Sequence, residues 1–225
     1  MSKQNQTHDP LNVDEALNTS ETFLLKNKNL LVGIVVAIVV VVCGFLAYNH
    51  FIGEPNELKA SEALFKGEQY FGNNAYEEAL NGDSLGYAGF LKIADEYSGT
   101  DAGNLANVYA GLCYAQLGKY EEATTYLDKF SADDYMVAPA ILGTLGNCYA
   151  QLGELDKAAA TLLKAADKAN STTLSPIYLL QAGQILEKQG KNAEAVDAYT
   201  KIKTKYATSY QAMNIDKYIE RASIK

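Results

Sequence analysis

Arginine is almost missing from this chain of 225 residues: Arg221 stands alone. No cluster of planar guanidinium forks is therefore available to clamp phosphates or carboxylates at two points. Tryptophan is absent, and the two histidines, His8 and His50, both lie upstream of residue 57. The region beyond lacks the usual general base of neutral pH. Three cysteines are too few for a disulfide scaffold. Positive charge is also short. Three of 19 basic and four of 27 acidic residues precede Asn49, which leaves 16 against 23. So acidic a remainder argues against nucleic acid as a partner. No nucleophile–base pair, metal-ligand cluster or phosphate loop is visible, so we expect no enzyme, no cofactor and no metal site.

Charge of either sign is missing from residues 30–48, LLVGIVVAIVVVVCGFLAY. Nineteen helical residues at about 1.5 Å each reach about 28 Å, close to the hydrocarbon thickness of a bilayer. A buried core helix would interrupt such a run with polar residues every three or four positions. A cleaved signal peptide would be shorter, nearer the start, and followed by an A-x-A site. We expect a transmembrane helix over 30–48 in contact with the lipid bilayer. Its flanks are a disordered polar tail over 1–29, with a short helix near 12–25, and a linker over 49–56 broken at Gly53-Glu54-Pro55-Asn56. Lys26 and Lys28 sit just before the span, and the next lysine is Lys59. That bias puts the N-terminus in the cytoplasm and the remainder outside it.

Residues 57–225 are dominated by an internal repeat. Gly111-Leu-Cys-Tyr-Ala-Gln-Leu-Gly118 returns as Gly146-Asn-Cys-Tyr-Ala-Gln-Leu-Gly153, with one difference, at an offset of 35 residues. Ala123 and Ala158 keep that offset; Gly183 and Ala195 continue the series 37 residues later. A fixed period of this size means stacked supersecondary units. Helices are expected over 57–73, 84–97, 102–117, 120–130, 135–152, 154–169, 176–189, 191–206 and 208–222. Gly118, Gly153 and Gly190 would close turns in the left-handed conformation. Between Ala79 and Ala123 the interval is 44 residues, so about nine are inserted, with Asp83 or Ser84 capping the extra helix. A glycine inside a helix costs about 1 kcal/mol against alanine. Recurring once per unit, Gly111, Gly146 and Gly183 are expected to let a partner helix approach closely at Ala123, Ala158 and Ala195. Cys113 and Cys148 fall at one repeat position, as buried filler too far apart to bond.

Gly111, Tyr114, Gly118, Tyr120 and Ala123 resemble the tetratricopeptide repeat (TPR) pattern. Gly146, Tyr149, Gly153 and Ala158 resemble it again, and Gly183, Leu186, Gly190, Ala195 and Tyr199 do so more loosely. The proline that commonly ends a unit is missing. The resemblance implies an all-α chain: one membrane helix, then a TPR α-solenoid of about four hairpins with a C-terminal capping helix, over 57–225. In TPR proteins the first helix of each hairpin lines a peptide groove. Carried over, that places Val108, Leu112, Ala115 and Gln116, then Asn147, Ala150 and Gln151, then Gln181, Gln184 and Lys188 on the groove.

The layout of a short tail, one span and an outer TPR domain also resembles the YfgM-like envelope proteins. It implies a single-pass protein of the bacterial inner membrane with a periplasmic TPR domain. Such a domain binds proteins or peptides beside the Sec translocon and a periplasmic chaperone. A structural organiser of the envelope, of the Tol-Pal or outer-membrane-assembly kind, is the other role such a layout implies.

Overall fold

The computed structural model describes residues 24–131 and 134–224. The expected helix near 12–25 falls almost wholly outside them. The chain divides into two units, one up to Glu54 and one from Pro55 onward.

In the first unit, α1 runs Lys28–Tyr48 and buries no side chain. Its valines and isoleucines are all outward, with Val41 70% and Phe45 67% exposed. Such a surface suits lipid, where the helix satisfies its own backbone hydrogen bonds. It is long and apolar enough to cross a membrane. The break expected at Gly53–Asn56 is absent. Asn49–Gly53 form one turn of π-helix, and helix α2, Glu54–Gly72, starts at the next residue. Pro55 sits in the first turn of α2, where its missing N–H is an orphan donor in any case.

The second unit is four helical hairpins with one insertion and a cap. The first helices of the hairpins are α2, α5 (Asp101–Gln116), α7 (Val137–Gln151) and α9 (Ser175–Lys188). Their partners are α3 (Tyr76–Asn81), α6 (Tyr120–Leu127), α8 (Leu155–Ala169) and α10 (Asn192–Lys205). Among the described residues there is no strand.

Each hairpin turns in the same way. At Gly118, Gly153 and Gly190 φ is +73°, +76° and +75°. The following N–H bonds back to a carbonyl five residues earlier: Lys119 to Tyr114, Glu154 to Tyr149, Lys191 to Leu186. This double closure satisfies carbonyls that the helix end would otherwise leave bare. The first hairpin uses Asn74 there, with φ +60° and Ala75 N–H bonded to Tyr70 O. Asparagine is the residue other than glycine that tolerates this conformation best.

Close approach is met where expected in two hairpins and differently in the other two. A Cβ on Gly111 would lie 2.6 Å from Leu127 Cγ and 3.1 Å from Ala123 O; on Gly146, 2.8 Å from Leu162 Cγ and 3.3 Å from Ala158 O. A Cβ on Gly183 would instead meet the Tyr199 ring first, at 2.3 Å. Leu127, Leu162 and Tyr199 are one repeat position, and the larger ring there reaches the glycine first. Gly67, 44 residues before Gly111, faces Tyr87 and Phe90 from the insertion, because α3 is only six residues long.

The insertion is not the helix expected over 84–97. Only Phe90–Glu96 is helical, as α4. Residues 82–89 form a loop folded onto one carboxylate. Asp83 Oδ1 accepts from the Leu85 and Tyr87 N–H groups, both at 2.8 Å, and Oδ2 accepts from Tyr70 Oη at 2.5 Å and Lys66 Nζ at 3.1 Å. Asp83 therefore organises a loop and caps no helix. The last helix is also split: Tyr210–Asn214 is 3-10, capped by Ser209, and α11 runs Ile215–Ile224. Arg221 and Tyr199 both bond to Glu187, which ties α11 to α9.

Three clusters of buried apolar side chains follow one another along this unit. Phe90, Ile93, Leu80 and Ala60 anchor the first, Leu127, Ile141 and Val108 the second, and Leu162, Leu179, Tyr199 and Ile202 the third.

Candidate protein-binding face

Each hairpin's first helix buries one face against its neighbours and leaves another open. On α7 the open stripe is Ala140, Thr144, Asn147 and Gln151, at the spacing i, i+4, i+7, i+11 that keeps side chains on one face. The repeat offsets carry it to Leu105, Tyr109, Leu112 and Gln116 on α5, and to Ile177, Gln181, Gln184 and Lys188 on α9.

Most of the expected groove residues fall in this register. Gln116, Asn147, Gln151, Gln184 and Lys188 are exposed, and none has a side-chain partner among the described residues. Leu112 is half-buried, packed on the middle cluster. Ala115 and Ala150 are half-buried one step to the side. Val108 is the exception. It is buried with Leu127, Ile141 and Leu145, off the stripe, and cannot line an open face. Gln181 is half-buried, and its amide oxygen is fully covered without a donor.

Sequence reasoning missed Ala140, Thr144 and Ile177. Counting back three and four positions along each helix from Asn147 and Gln184 finds them. On α5 the corresponding positions are lost to packing. Tyr109 stacks on Phe90 with centroids 5.0 Å apart and meets Phe71 edge-on at 5.4 Å. Burial, then the nearby Glu68 carboxylate, pushes the Tyr109 phenol up to about 12.

The electrostatics of this face are simple: amides, a hydroxyl, aliphatics and the single charge of Lys188. Amides offer a donor and an acceptor each, so such a stripe can pair with the backbone of an extended chain. Burial drives the Cys113 thiol up to about 12 and raises that of Cys148. Both are unbonded and buried, inert at neutral pH. Among the described residues no three His, Cys, Asp or Glu side chains are grouped to hold a metal ion.

The family model of the tetratricopeptide repeat-like domain matches residues 21–217. The chain belongs to this family. Its repeat unit is thus the TPR hairpin, and TPR domains are protein-interaction scaffolds. No curated protein matches the chain. Among solved structures, that of MamA AMB-1 is similar: 17% identical, with a TM-score of 0.45, covering 75% of this chain and 99% of the other.

Proposed function

We propose that this TPR protein is a membrane-anchored scaffold that holds extended segments of other proteins on the exposed stripe of α5, α7 and α9. The observation that carries the reading is the run of unpartnered amides at matching positions of consecutive hairpins: Gln116, Asn147, Gln151 and Gln184. An amide ladder binds backbone, not particular side chains, so it suits many sequences. That tolerance fits clients in transit. The site of action is the extracytoplasmic side of the bacterial inner membrane, beside the Sec translocon and a periplasmic folding factor, where exported chains emerge unfolded. Lys26 just before α1 and Lys28 at its start, with no further lysine before Lys59, support this orientation.

Two measurements on the full chain in cells test it. A photo-cross-linking residue at Asn147 is expected to form adducts with translocon subunits, a folding factor or nascent exported chains. Adducts confined to cell-wall or outer-membrane-assembly proteins would instead make it an envelope organiser. Ala160→Cys, on an exposed position of α8, is expected to react with a membrane-impermeant maleimide before the inner membrane is opened. Labelling only afterwards would place the domain in the cytoplasm and end the proposal.

A further inference from the structure

The second helices of the hairpins differ in length. α8 and α10 run 15 and 14 residues, α6 only eight. In α8 the stretch after Leu162 carries Ala165, Ala166 and Ala169 into the core under α9. The equivalent stretch of the second hairpin leaves the helix after Leu127. A cavity of about 180 Å³ lies between α6, α7 and α8. Leu127, Phe130, Ile141 and Leu145 form its apolar floor; Lys164 and Lys168, one helical turn apart on α8, stand at its edge with Asp128. A volume of about 150 Å³ is enough to hold a benzene molecule, so one aliphatic side chain fits by size.

Lys164 is the unusual member of its repeat position. Its counterpart Lys129 lies 4.4 Å over the Tyr126 ring, and its counterpart Lys201 pairs with Asp167. Lys164 has no carboxylate or ring partner among the described residues. Apolar side chains on the floor of a hollow whose rim carries Lys164 match a ligand that is aliphatic at one end and anionic at the other.

We propose that this cavity is a second binding site, which takes one aliphatic side chain of a partner protein and holds an adjacent carboxylate of that protein over Lys164. It is separate from the amide stripe: Ile141 and Leu145 lie on a different face of α7 from Asn147 and Gln151.

The test uses the full chain in detergent micelles with carbon-13-labelled leucine and isoleucine methyl groups, and N-acetyl-leucine as the probe. The expected result is saturable shifts at Ile141, Leu142, Leu145 and Leu127. N-acetyl-leucinamide, lacking the charge, binds about three- to five-fold more weakly, the size of an exposed ion pair. Lys164→Gln reduces binding of the acid by the same factor and leaves binding of the amide unchanged; Lys164→Arg restores it. Asn147→Ala changes neither. Unmoved floor methyls, shifts only elsewhere, or equal affinity for acid and amide would overturn the proposal.

Discussion

Arg221 grips Glu187 at two points, Nε to Oε1 at 3.0 Å and Nη2 to Oε2 at 2.5 Å. The carboxylate is 6% exposed, and its Oε2 also accepts the Tyr199 hydroxyl at 2.8 Å. The guanidinium meanwhile lies 4.9 Å from the Tyr218 ring. The chain's one arginine thus closes the open end of the stack, where α9 and α10 would otherwise lose their covering helix. A terminal element of this kind protects the last core of a solenoid. Tyr199→Phe removes a hydrogen bond to a charged, buried acceptor and should cost about 1.5–3 kcal/mol in unfolding by urea. Arg221→Lys keeps the charge but loses the fork. Faster amide exchange confined to α11, with α5 unaffected, is the expected signature; no change there would mean the fork does not hold the cap.

Gly146→Ala should destabilise the protein although alanine is the better helix former. The new Cβ would meet Leu162 Cγ at 2.8 Å, the branch atom of a fully buried side chain. Overpacking of this sort costs about 1–3 kcal/mol, more than the roughly 1 kcal/mol that helix propensity returns. A lower melting temperature is expected, and Gly146→Ala combined with Leu162→Ala should recover part of the loss. A stabilised single variant would show that the helices can part without penalty.

Lys119–Glu77 and Lys191–Asp156 are ion pairs that bridge the first and third joints between hairpins at equivalent positions. Lys119 reaches Glu77 at 3.1 Å, and Lys191 reaches Asp156 at 2.5 Å, shared with Gln189. The middle joint has Glu154 and Glu121 at those places, and Glu154 turns to Lys157 within its own hairpin. A double-mutant cycle on Glu77 and Lys119 should give a favourable coupling of about 0.2–1 kcal/mol that fades with added salt. The same cycle on Glu121 and Glu154 should give none or a repulsive one. A favourable value there would contradict the assignment of equivalent positions.

Acid should loosen the insertion first. The Tyr70 hydroxyl, then the Tyr87 N–H and Lys66, hold the Asp83 carboxyl below its ordinary value of 3.8. Backbone N–H groups, that of Val137 first, do the same for Asp134 at the start of α7. A depressed carboxyl stabilises the fold fully above its unfolded value. That contribution shrinks as pH falls below about 4 and is gone once pH passes the folded value. Thermal melts should therefore show a melting temperature dropping below about pH 4. Asp83→Asn should melt lower at neutral pH and lose less on acidification; an unchanged acid slope would clear Asp83 of this role.

The sequence by itself determined the periodic part of this protein. The turn glycines 118, 153 and 190 and the close-packing glycines 111 and 146 are legible because each is a local demand met again at a fixed offset. A left-handed φ favours glycine, and a tight crossing needs no side chain; the long uncharged helix α1 is legible as an unbroken apolar run. Asn74 escaped because it meets the same backbone demand with a different residue. Tertiary structure decided what depends on partners far along the chain. Val108 looked like groove because helix spacing alone does not say which neighbour covers a face, and Leu127 and Ile141 cover it. Asp83 became the knot of a loop because Tyr70 and Lys66 stand ready on α2. Arg221 found its role only when α11 folded back on Glu187, 34 residues earlier. Such pairs leave no period in the sequence, since charge and burial act through space and not along the chain.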